Sequence, residues 1–144
     1  MATKHRRWSL LLAGALALSA LGCAPHSLSV RSLEPSDLAR LAGTWEGTGR
    51  GLLAESRPIT ITVSADGTFT TTGTVYTTEG LVRVKEGRLL FTGGFQASGE
   101  QAPTYVATAM LVEETDSGQV VQILSGSGFS TGRSITFMVR RPKI

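Results

Sequence analysis

From Gly43 onward, apolar and polar side chains alternate with a period of two, the pattern of strands buried on one face. Gly43–Arg50, GTWEGTGR, places Trp45, Gly47 and Gly49 together. Residues 57–64 set Ile59, Ile61 and Val63 against Thr60, Thr62 and Ser64, and Asp66-Gly67 supplies a hairpin turn. The next strand runs from Thr68 to about Gly73 and carries Phe69, before a polar stretch that lasts to Gly80. Val82 and Val84 then alternate with Arg83 and Lys85, and Glu86-Gly87 turns the chain into RLLFTG at 88–93. Beyond a Gly-, Ser- and Pro-rich loop at 94–103, strands are predicted over about 104–113, 119–126 and 133–140. The first two of these flank the turn cluster Thr115-Asp116-Ser117-Gly118, and the last aligns Ile135, Phe137 and Val139.

Ahead of this series, residues 35–42 read as a short helix, opened by Pro35 and stopped by Gly43. The pattern therefore predicts an all-β fold: a small eight-stranded antiparallel up-and-down barrel preceded by a short N-terminal helix. Closure pairs the first strand with the last and removes exposed edges. An outer-membrane pore fits poorly, because its strands need about 9–11 residues and an apolar outward face. Here most predicted strands are shorter, and one face is largely threonine.

The N-terminus follows a different pattern. Lys4, His5, Arg6 and Arg7 precede an apolar run from Trp8 to Ala20, the layout of a secretory signal. That run falls short of the about 20 residues of a spanning helix. Ala20-Leu21-Gly22-Cys23 follows and resembles a bacterial lipobox, with Ala20 where leucine is most usual. The resemblance implies that the chain is cut before Cys23, which carries the lipid and becomes the acylated N-terminus. Ala24, by the enterobacterial sorting rule, implies the outer membrane. The alternatives are conventional signal cleavage near Ala15-Leu16-Ala17, or a free thiol of no importance. The implied organisation is a signal peptide over 1–22, a lipidated tether over 23–34 and a barrel domain over 35–144. Cys23 is the chain's one cysteine, so no intramolecular disulfide forms.

The signal also accounts for the charge. The chain holds 14 basic and 11 acidic residues, a net charge of +3. Lys4, Arg6 and Arg7 lie in the signal, so the part from Cys23 onward is neutral. No electrostatic footprint for nucleic acid remains.

Gly43-Thr44-Trp45, directly after a short helix, resembles the opening of the calycin superfamily, the lipocalin-like and avidin-like barrels. The resemblance implies that Trp45 packs near a closed barrel end with an arginine of the last strand across its ring. FMVRRPK offers Arg140 or Arg141 for this partner, and only Arg141 shares the side of Phe137 and Val139. The alternative makes Trp45 an ordinary core aromatic. The domain is smaller than full lipocalins and closer to compact bacterial lipocalin-like domains. Gly43, Trp45, Arg140 and Arg141 are then structural.

Catalytic chemistry has few candidates. His26, the one histidine after the signal, falls in the expected tether, so no imidazole of the barrel is available to activate a serine. Glu113, Glu114 and Asp116 lack the alternating oxygen ligands of a calcium loop and read as a solvated hairpin end. GTGRG at 47–51 and SGSGFSTG at 125–132 lack the Lys-Ser/Thr ending of a phosphate loop. No enzyme, metal or cofactor is expected.

The expected function is that of a cell-envelope lipoprotein whose barrel is a binding or interaction module, with a small apolar ligand or an envelope protein as partner. Ile59, Ile61, Val63, Phe69, Val82, Val84, Ile135, Phe137 and Val139 are the candidate ligand lining. A barrel of eight strands either fills with side chains or holds one small ligand. The alternative is thus a filled barrel acting as an envelope structural factor or protease inhibitor.

Overall fold

The computed structural model describes residues 26–51, 55–73, 77–96, 104–130 and 133–142. Nine strands form one antiparallel sheet: β1 (Ser27–Arg31), β2 (Gly43–Arg50), β3 (Ser56–Val63), β4 (Thr68–Thr72), β5 (Thr77–Lys85), β6 (Arg88–Gln96), β7 (Thr104–Asp116), β8 (Gln119–Ser130) and β9 (Arg133–Pro142). Strands β2 to β9 pair in sequence order, and β2 pairs with β9 to close an eight-stranded barrel. The expected fold class is the observed one. Between β1 and β2 lie a 3-10 turn, Pro35–Asp37, and a single helical turn, α1 (Leu38–Leu41).

Two-residue turns set the register at one end. Glu86 and Gly87 have φ of 52° and 76°, and Ser117 and Gly118 have 52° and 82°. Positive φ at both central residues is the mark of the type I′ turn, whose twist matches that of the flanking strands. At Asp66 the carboxylate accepts hydrogen bonds from the backbone N–H and hydroxyl of Thr68, at 2.9 and 2.7 Å.

The expected tether is partly a strand. Ser27–Arg31 pairs with Leu111–Thr115 of β7, while β6 occupies the same edge of β7 only over Thr104–Ala109. The thirteen-residue β7 outruns β6 at that end, and β1 takes the vacated hydrogen bonds. From β1 the chain crosses beneath the barrel, where the Leu33 N–H donates to the Gly87 carbonyl at 3.0 Å. Leu33 and Leu41 are buried there and join the core, with Leu38 packed against it. This end is the closed pole. The signal segment and Cys23 lie outside the described residues.

Candidate functional site

Three consecutive carbonyls at the end of α1 have no partner within the helix. Two side chains from β2 and β9 reach them. Trp45, wholly buried, donates its Nε1–H to the Leu41 carbonyl at 3.1 Å. Arg141 donates through Nη2 to the Arg40 carbonyl at 2.6 Å and through Nη1 to that of Ala42 at 2.7 Å. Its Cζ lies 4.2 Å from the Trp45 ring centroid, a cation–π contact. Arg141 therefore takes the place expected of Arg140 or Arg141. Arg140 points outward and sits across from Glu46 of β2. Gly43 completes the arrangement: its φ is +131°, and a Cβ there would stand 3.0 Å from the Arg141 guanidinium.

The same arginine opens a polar chain around the pole. Its Nε donates to Gln122, whose Nε2 donates to Glu113 at 3.1 Å. Arg31 of β1 lies 3.8 Å from Glu113 and donates to Asp37 at 3.3 Å, and Arg40 reaches the same Asp37 oxygen at 3.0 Å. Asp37 also accepts from the Glu34 backbone N–H at 2.9 Å. That hydrogen bond, then Arg31 and Arg40, hold the Asp37 carboxyl below its ordinary pKa, against the opposing effect of burial. Burial lowers the pKa of Arg141, which stays a cation because a guanidinium does not deprotonate in proteins. These groups border a niche of about 200 Å³. Glu113 and Glu114, read from sequence as a solvated hairpin end, are both engaged: Glu114 lies 3.2 Å from Nε2 of His26.

The expected lining residues form one apolar cluster. Ile59, Ile61, Val63, Phe69, Val82 and Val139 are buried in it, and Val84, Ile135 and Phe137 pack against it half-buried. Phe91, which sequence reasoning left out of the lining, links opposite walls. Its ring meets Phe69 of β4 edge-on at 5.0 Å and Phe137 of β9 edge-on at 5.9 Å. Gly126 of β8 makes room for this bridge, since a Cβ there would lie 2.3 Å from the Phe137 ring.

A groove of about 480 Å³ lies on the outer wall and is lined by Arg50, Arg88, Met110, Ser125, Ser127 and Met138 among others. Of the expected lining, Phe137 alone borders it. Nothing in the local sequence marks this groove, because pairing across β6, β7, β8, β9 and β2 assembles it.

Among the described residues, no group of three or more His, Cys, Asp or Glu side chains could hold a metal ion. No helix among them is long and apolar enough to cross a membrane. The chain matches no family model, no curated protein and no solved structure.

Proposed function

We propose that this chain is a lipid-anchored protein of the bacterial cell envelope, held through Cys23. Its lipocalin-like barrel works as a non-catalytic interaction module through its outer surface. Support for the anchor is the basic start, the short apolar run and Gly22-Cys23. Support for the lipocalin-like assignment is Trp45 at a closed pole under an arginine of the last strand. The observation that carries the module reading is the Phe69–Phe91–Phe137 bridge, which occupies the barrel interior with the protein's own rings.

The rival is a barrel that holds a small apolar ligand, and the half-buried Ile135 and Phe137 speak for it. Native mass spectrometry of the delipidated protein, with titration of an environment-sensitive apolar dye, separates the two. A packed barrel shows no bound mass and no saturable dye signal. Either signal, abolished by Phe137→Trp, would transfer the function to the interior. Metabolic labelling with a fatty-acid analogue tests the anchor: wild type takes the label and Cys23→Ser does not.

A further inference from the structure

The outer wall of the barrel is not uniform. Strands β3 and β4 present Thr60, Thr62, Thr68, Thr70 and Thr72 outward. The wall made by β1 and β5 to β8 differs. Of the six exposed large hydrophobic residues among the described ones, it carries five: Leu28, Val30, Leu81, Val106 and Phe129. Three of these stand in one register row, where Leu81 pairs with Thr92, Thr92 with Val106, and Val106 with Phe129. Leu28 and Val30 stand farther along the same wall, beside Glu114 and Val112 of β7.

Three exposed cations, Arg83, Lys85 and Arg88, lie between these two apolar groups, and none makes an ion pair among the described residues. Glu79 and Glu114 share the wall, the latter engaged by His26.

We propose that this wall rests on the bilayer surface, so that the barrel lies on its side against the membrane. The inference depends on the reading of Cys23 as the acylated residue. The length of chain then fixes the distance: from Cys23 to His26 is three residues, at most about 11 Å when fully extended. His26 is itself held on this wall by Glu114, and β1 follows at once. An acyl chain anchored at Cys23 thus brings this wall, rather than the threonine wall, to the lipid. Exposed apolar side chains enter the interface, and the unpaired cations meet anionic headgroups. A second copy of the chain is a poorer occupant, because a two-fold contact would set the same three cations against one another.

The test uses the full lipidated protein in vesicles of phosphatidylethanolamine and phosphatidylglycerol. Nitroxides are placed through Val30→Cys, Val106→Cys, Thr62→Cys and Thr70→Cys, one per variant, and accessibility to oxygen and to a nickel chelate is measured. The oxygen-to-nickel ratio is expected to be several-fold higher at 30 and 106 than at 62 and 70. Replacing Arg83, Lys85 and Arg88 together by serine should lower it at 106 without changing acylation. Equal ratios at all four positions in acylated protein overturn this proposal alone. So does shielding at 30 without shielding at 106, which would stand the barrel on its pole. Shielding of both in the unacylated Cys23→Ser protein in detergent-free buffer would assign the wall to a second copy and also overturn it. Failure of fatty-acid labelling at Cys23 removes the anchor and overturns both readings.

Discussion

At the closed pole, Trp45, Leu124 and Val139 are wholly buried, and Arg141 ties the end of β9 to three other parts of the chain. Farther along the same strand, Phe137 and Ile135 are only half-buried, and their neighbours across β8 are Gly126 and Gly128. One end is held by directional bonds around an aromatic ring. The other is held by the Phe137 ring seated on Gly126, where contact is extensive but bonding is not. Rigidity is therefore concentrated at the pole, and any opening of the barrel should begin at the far end.

The largest effect is expected where the comparison is most one-sided. Trp45→Ala should cost about 3–5 kcal/mol in urea melts, because the ring is fully buried and its N–H satisfies a carbonyl. A loss below about 1 kcal/mol would mean that the pole does not depend on it. Arg141→Met should cost about 2 kcal/mol, since it leaves the carbonyls of Arg40 and Ala42 without their donor. Arg141→Lys should recover only part, as an ammonium cannot serve the same acceptors in one plane.

At the other end, Gly126→Ala forces its Cβ against the Phe137 ring and should cost about 1–2 kcal/mol. Pairing it with Phe137→Leu should restore most of that loss. An unchanged melt for the single variant would show that the ring swings away freely, which would favour a hollow interior.

The smallest effect is a pH dependence confined to the pole. Asp37 has a depressed pKa when folded, so its stabilisation is present above the ordinary carboxylate range and is lost as pH falls from there through the lower folded value. Asp37→Asn should be less stable than wild type at neutral pH and equal to it in acid. Asp66, also depressed by its bonds to Thr68, keeps a remnant of the acid sensitivity in that variant.

Strand order was legible because alternation is strict where one face is buried, as in Ile59-Thr60-Ile61-Thr62-Val63. The same parity separated Arg141 from Arg140. Where both faces carry apolar groups, parity fails: Leu89, Leu90 and Phe91 run together, so the inward role of Phe91 was hidden. Polar strand ends were also lost. Thr77–Gly80 belongs to β5 and 127–130 to β8, yet their Thr, Glu, Gly and Ser residues, with Phe129 the one apolar member, give no strand signal alone. Ser27–Arg31 is a strand only because β7 offers it an unused edge, and its Leu28 and Val30 face outward. The groove and the uneven outer wall depend on registers between distant segments, and no local pattern encodes them.

The clasp at Arg40, Leu41 and Ala42 also constrains the order of events as the chain folds. Its two donors differ in reach: Trp45 lies four positions from the Leu41 carbonyl, whereas Arg141 follows the Arg40 carbonyl by 101. The last strand both closes the barrel against β2 and supplies the guanidinium that completes the pole. Before β9 docks, the sheet has two open edges, and the Arg40 and Ala42 carbonyls lack their donor. Contacts of such long sequence separation make folding slow. Closing the barrel and completing the pole are therefore a single event, and a chain that has not docked β9 has neither.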